Sequence, residues 1–467
     1  MASLSSTVSN QLWTFYGYRL KRILTLLPVL IAVIWIGLYL TQDTPGGVNP
    51  VDEITVSTGT ADLITTTAAL PEITNDNWPW WRGLHGTGIA YDQDIPTSWS
   101  TTENVLWQAS VPGRGHSTPV VWDNQVFLTT ADEEHEKQQI LSYDRTNGKL
   151  LWEMTAHDGR FMRSHPTNTH ASASPACDGE RVFAAFINNG ALRVTAVDLT
   201  GKLVWQSEAG TFGSEHGYGS SPVIYESLII VLGDNITGSF ITAIERTTGE
   251  IVWRTQRNTT GKHGSYSTPI VAEVSGRNQL LVHGTNRVTS YNPSNGSTLW
   301  YCAGPAEVTA CTIAFSDNLV FASGGYPEKE LLAIRADGSG DVTDSHVQWR
   351  REKSSDVTYV PSPIYQKGRL YSVNDQGIAS CFKAEDGTLL WQQRLGSNFS
   401  ASPTLSGDFL FIPDESGKTY VMKAGTQFEF VSQNVLGDGG FASPVICGNQ
   451  IFLRSNNQLY CVGKSNS

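Results

Sequence analysis

Four histidines precede a proline in successive stretches of the chain: His116 in "GRGHSTP", His170 in "TNTHASASP", His216 in "SEHGYGSSP" and His263 in "GKHGSYSTP". The chain has ten histidines in all, so four in corresponding places form its clearest chemical signal. Imidazoles facing a common centre would suit zinc, copper or iron. The same stretches and their later equivalents carry Arg114, Glu215, Tyr218, Lys262, Tyr266, Glu307 and Tyr359, which with the histidines would equally line a site for an organic or peptide ligand. A third reading has each ring hydrogen-bonded to its own loop. The offsets from histidine to proline vary, so spacing alone does not bring the ring nitrogens together. No His-Glu-x-x-His, phosphate-loop, Gly-x-Ser-x-Gly or Cys-x-x-Cys pattern accompanies them, and no catalytic residue is identified.

What must position these residues is a repeat. The small-small-proline signal recurs at Pro119, Pro175, Pro222, Pro269, Pro363, Pro403 and Pro444, with "TACTIAFSDNLVFASG" filling the long gap after Pro269 and Cys311 at the proline position. Eight copies at intervals of this size specify a solenoid, propeller or array. Each copy holds short β-prone stretches joined by turns, as in "VVWDNQVFLTT" and "VTAVDLTGKLVW", with no helical stretch between them. Four such strands make an antiparallel meander. Gly148, Gly201, Gly249, Gly296 and Gly387 sit where the last hairpin needs a positive φ. Trp107, Trp152, Trp205, Trp253, Trp300, Trp349 and Trp391 fall on the last strands, where a large ring fills the wedge between neighbouring sheets.

The eighth copy stops after three strands, and a spare Trp strand, "NVLWQASV" from Asn104, precedes the first. If that strand completes the last sheet, a ring closes and no edge remains. The expected fold is therefore an all-β, eight-bladed propeller over 104–463, with 104–111 closing the last blade and 464–467 as a tail. A linear solenoid and a seven-bladed ring are the alternatives. The seams beside the fifth copy, with its lengthened turn "RADGSGDVTDSHVQW", and the seventh, which lacks the Trp, should be the least regular. All loops ahead of the prolines share one face, so a ligand or partner is expected there.

Ahead of the propeller the chain reads as four segments. Residues 1–22 end in Arg19, Lys21 and Arg22, and the apolar run 23–40 follows without a charge, reaching about 27 Å as a helix. This is expected to be an uncleaved signal-anchor, a single-pass transmembrane helix with a cytoplasmic N-terminus and the propeller in the periplasm or another extracytoplasmic space. A cleaved signal peptide and a buried helix are the other readings. Residues 41–77 carry six acids and no Lys or Arg, and read as a flexible linker; residues 78–103 read as a lead-in packed on the propeller surface. The net charge of −12, from 32 basic and 44 acidic residues, gives nucleic-acid binding no support. Six cysteines are too few for a disulfide-built domain; Cys302 and Cys311, flanking one loop, are a candidate bridge, and the rest read as buried small apolar residues.

With "WPWWRGLHGTGIA" at the start and Ala196, Asp198, Thr200, Gly201, Lys202 and Trp205 setting the turn motif, the chain resembles the PQQ-like β-propeller repeat family from Trp78 to Gly463. Its members include quinoprotein alcohol dehydrogenases and the outer-membrane assembly lipoprotein of the Bam complex, and the resemblance is closest to membrane-anchored planctomycete members. The matched positions serve packing and turns, so they imply fold more than activity. The dehydrogenases' vicinal Cys pair has no counterpart here, and their calcium ligands and base cannot be placed. The expected function is thus a monomeric, membrane-tethered propeller that binds or scaffolds an envelope protein or polymer on its loop face, with no cofactor. The alternative is an oxidoreductase holding PQQ and calcium at the mouth of the central channel.

Overall fold

The computed structural model describes residues 70–91, 93–257, 263–352, 354–396 and 398–464. The basic N-terminal stretch, the apolar run 23–40 and most of the acidic linker lie outside them; among the described residues no helix is long and apolar enough to cross a membrane. Eight antiparallel sheets form the blades of a propeller. Blade 2 shows the plan, with strands Ala176–Cys177, Arg181–Asn188, Ala191–Asp198 and Leu203–Thr211 running from the axis outward. The middle strands of each blade are buried on both faces, whereas the outer strands alternate, as Val347–Glu352 does residue by residue. That alternation leaves the Trp strands half-buried.

Closure occurs as the spare strand requires. Val105–Ser110 pairs antiparallel with Gln458–Gly463, with Val105 opposite Val462, Trp107 opposite Cys461 and Ser110 opposite Gln458. It supplies the fourth strand of blade 8.

The Thr-Gly turn and the Trp prove to be parts of one joint between blades. A Cβ added to Gly201 of blade 2 would lie 2.7 Å from the Trp152 ring of blade 1, and Gly201 has φ +85°. Glycine is needed here both for the left-handed backbone and for the ring lying against it. Gly148, Gly249, Gly296 and Gly387 stand the same way against Trp107, Trp205, Trp253 and Trp349 of the preceding blades. The indole N–H completes the joint by donating to the next blade's turn: Trp107 to Arg145 O, Trp152 to Leu199 O, Trp205 to Arg246 O, Trp349 to Ala384 O and Trp391 to Gly425 O.

Three seams depart from this plan: the seam after blade 3, where the buried Trp253 Nε1 has no hydrogen-bond partner among the described residues, and the two expected to. In blade 4, Trp300 is fully buried and bonds Gln279 Oε1 at 2.7 Å, while Gly340–Asp341 from the lengthened turn of blade 5 pairs in parallel with its strand. Blade 7 has no Trp of its own. Trp99 of the lead-in fills that place, 3% exposed, stacked on Phe411 and clustered with residues of blades 7 and 8.

Two expectations are corrected. The residue at the fifth proline position is Ile313, not Cys311, since the strand Ala314–Phe315 begins one residue later as the others do after their prolines. Ahead of Trp78, Leu70 and Ile73 pack on the blade core, and Asp76 O accepts a hydrogen bond from Arg145. The Cys302–Cys311 bridge is not formed. Both are buried free thiols; Cys311 donates to Ser323 O at 3.1 Å, and burial pushes its thiol pKa up to about 12.

Candidate functional site

The residue just before each proline position builds the wall of the channel. Thr118, Ser174, Ser221, Thr268, Thr312, Ser362, Ser402 and Ser443 contribute one hydroxyl from each blade. The backbone N–H of all but Thr268 donates to the hydroxyl of the next: Thr118 to Ser174 at 2.9 Å, Ser174 to Ser221 at 3.0 Å, Ser221 to Thr268 at 2.9 Å. The chain of bonds continues from Thr312 through Ser362 and Ser402 to Ser443, which returns to Thr118 at 3.1 Å. The second closure of the propeller is therefore a ring of hydrogen bonds around its axis. At the remaining link, Thr268 to Thr312, the Thr312 hydroxyl takes its hydrogen bond from Trp81 Nε1 at 2.9 Å.

Trp81 is there because the lead-in crosses the turn face. It forms a bridge with blade 1 through Trp78 and Val121, gives Pro79 O to Cys177 N of blade 2, and sets Arg82 against Pro363 O of blade 6. It then pairs Ile89–Ala90 in parallel with Thr404–Ser406 of blade 7. Burial of Arg82 without a carboxylate among its hydrogen-bond partners lowers its pKa to about 10. The lead-in is thus a cap over one end of the channel rather than a surface ornament.

The other end opens into a cavity of about 820 Å³. Of the candidate residues, His116, Glu215, His216, His263, Tyr266 and Tyr359 line it. His116 stacks on Phe441 with ring centroids 4.2 Å apart; burial first, then the charges of Arg454 and Arg114, lowers its pKa to about 3, so it is neutral at pH 7. His216 stacks on His165 at 5.5 Å and meets Tyr266 edge-on. The Nδ1 of His263 hydrogen-bonds Glu215 Oε2 at 3.2 Å, and that bond is the largest contribution holding the carboxyl below its usual range. Burial raises the Tyr266 hydroxyl well above its ordinary pKa and also raises that of Tyr359.

The other candidates do not line this cavity. His170 lies in the blade 2 insertion, stacked on Phe161, with Nε2 on Met162 O and Nδ1 on Glu133. Arg114 reaches outward to Glu133 and Pro166 O. Tyr218 is buried in blade 3 and donates to Leu232 O at 3.1 Å. Glu307 sits behind His263, accepting its backbone N–H at 3.0 Å. Lys262 lies outside the described residues. The four histidines therefore share no centre, and among the described residues no group of three or more His, Cys, Asp or Glu side chains could hold a metal ion. The sequence pattern missed Trp81, His165, Tyr326, Glu415 and Phe441, which also line the cavity. Phe441 had a signal, standing in "GGFASP" where the histidines stand in other blades.

Fold and cavity together define a β-propeller of PQQ-like repeats with a capped axial channel open on its loop face. A family model described as "Outer membrane protein assembly factor BamB" matches residues 97–214, 136–373, 341–427 and 375–465, and the chain belongs to that family. The outer membrane protein assembly factor BamB of Yersinia pestis is 22% identical over 366 residues, 75% of this chain and 86% of that one. Among solved structures, BamB from Moraxella catarrhalis has TM-score 0.56 at 14% identity, covering 76% of this chain and 98% of its own. Quinohemoprotein alcohol dehydrogenase from Comamonas testosteroni has TM-score 0.60 at 12% identity, covering 86% and 84%. At these identities the structural likenesses speak for the fold alone.

Proposed function

We propose that this chain is a binding and scaffolding propeller that holds an envelope protein on its loop face, tethered to a membrane through its N-terminal segment and standing in an extracytoplasmic compartment. The observation that carries the reading is the inequality of the two ends of the channel. One is sealed by the chain's own lead-in, and the other gathers aromatic, imidazole and carboxylate side chains from non-repeating loops. The relatives bearing the name of an assembly factor support a protein as the bound partner. The acidic stretch before Leu70 supplies reach from the anchor.

The oxidoreductase reading is less well supported by the residues present. PQQ carries several carboxylates, and the cavity offers Glu215 and Glu415 but no Lys or Arg among its described lining residues. The residues do not fit the quinone. A photo-crosslinking amino acid at Thr167, on the mouth, tests the proposal against one at Lys202, on the turn face. Thr167 should capture a discrete envelope polypeptide that Lys202 does not. Equal capture from both faces, or a quinone absorbance that saturates when PQQ and calcium are added, would contradict it.

A further inference from the structure

We propose that the axial cavity receives a lysine or arginine side chain from a basic segment of the bound protein. This rests on the protein-binding reading and specifies the partner's chemistry. Two carboxylates face the cavity from roughly opposite sides of the ring: Glu215 from the loop entering blade 3, Glu415 from the second hairpin of blade 7. Each is held through one oxygen. Glu215 accepts from His263 through Oε2, and Glu415 accepts from Ser400 through Oε1 at 2.6 Å. The second oxygen of each has no hydrogen-bond partner among the described residues and remains available to a ligand.

No lysine or arginine stands among the described lining residues; the Arg163 charge reaches Glu215 from outside the lining. The walls between are aromatic, with Trp81 at the floor and Tyr266, Tyr326 and Tyr359 around it. Ring faces beside carboxylates in a partly dry cavity attract an ammonium or guanidinium group. An anionic ligand meets the two acids and, besides the hydroxyls, imidazoles and the Asn168 amide, with no permanent cation among the described lining residues. The net charge of −12 adds long-range steering toward a basic partner.

The charge distribution also says where in the cavity the cation sits. Arg454 is fully buried behind Ser117, donating to Ser117 O and Thr129 O, and has no carboxylate among its hydrogen-bond partners. Its positive charge disfavours a cation on the blade 8 side. The Glu215 side, with Tyr266 and the His165–His216 stack, is the seat, although the charge of Arg163 also acts on that carboxylate.

The full-length chain, purified in detergent, is titrated with tetralysine amide by calorimetry and tryptophan fluorescence. Saturable one-to-one binding is expected, weakened about 10-fold by acetylating the lysine amines and about 10-fold by Glu215→Gln. Glu415→Gln should weaken it less, about 3-fold, and Tyr266→Leu should weaken it without moving the unfolding midpoint of the apo chain by more than Glu215→Gln does. Absence of saturable binding at millimolar peptide would overturn the inference, as would binding indifferent to acetylation and to Glu215→Gln. Saturable binding of a neutral oligosaccharide such as chitotetraose, in place of the peptide, would also overturn it. Crosslinking from Thr167 keeps the two readings apart: a captured polypeptide with no tetralysine binding sinks the basic-segment inference and leaves the protein-binding proposal standing.

Discussion

The seam between blades 1 and 2 and the seam between blades 7 and 8 solve one packing problem with indoles of different origin. In the first, Trp152 comes from the blade's own outer strand, lies against Gly201 and donates to Leu199 O at 2.9 Å. In the second, blade 7 offers Phe430–Val435, and the indole arrives from the lead-in as Trp99, its backbone N–H held by Asn434 Oδ1 at 3.0 Å. The wedge between twisted sheets needs a large flat group, and its position matters more than its place in the chain. The hydroxyl ring repeats the lesson: where the Thr268 to Thr312 link is missing, Trp81 of the same lead-in supplies the donor. These two irregularities are repaired by the segment that precedes the repeat.

This comparison can be broken by truncation. Trp99→Ala should cost about 3–5 kcal/mol of unfolding free energy, as much as Trp107→Ala at a regular seam. A loss below about 1 kcal/mol, measured by denaturant titration, would mean that the 7/8 seam does not depend on the borrowed ring.

A glycine pair sharpens it. Gly201→Ala meets both φ +85° and the Trp152 ring and should cost about 2–3 kcal/mol, whereas Gly407, φ +56° with open space around its Cβ position, should cost about 1 kcal/mol as alanine. Equal losses would show that the turn conformation alone, and not the ring against it, demands glycine.

The seams should also differ in acid. His157, edge-on to Phe186 in the 1/2 seam, and His283, whose Nε2 donates to Cys311 O at 2.6 Å across the 4/5 seam, are both lowered to about 4, by burial above all. Their folded pKa values lie below that of the unfolded chain, near 6.5, so the unfolded chain binds more protons between these values. Stability is then full above about pH 6.5 and falls toward pH 4, by up to about 1.4 kcal/mol per pH unit for each group. His283→Gln should flatten the fall in melting temperature over that window, and an unchanged slope would remove His283 from the account.

The smallest effect expected is that of Trp81→Phe, which keeps a ring at the floor of the channel and deletes its bond to Thr312, at about 1 kcal/mol.

The strands, the eight blades, the Trp seams and the closing strand were legible because each is a local pattern: a β-prone run, a glycine at a turn, a Trp at fixed distance from it. The cavity was legible only in part. Position ahead of the proline identified the correct loops but not the direction of each side chain, so His116 and His263 reached the channel while His170 and Tyr218 turned into their own blades. Tyr326 and Glu415 come from loops between second and third strands, outside that pattern, and Trp81 comes from outside the repeat altogether. Which of these meet at the axis is decided by the curvature of the closed ring, and no single blade encodes that.

Closure by the spare strand is the claim on which both seams and cavity depend. Ser110 and Gln458 face each other in the closing pair, at a spacing suited to a disulfide, and all six native cysteines are buried. In a Ser110→Cys, Gln458→Cys double variant, mild oxidation should give an intramolecular crosslink in nearly every molecule and a reduction-sensitive rise in the unfolding midpoint. Free thiols after oxidation, or crosslinks formed only between molecules, would contradict the closed ring.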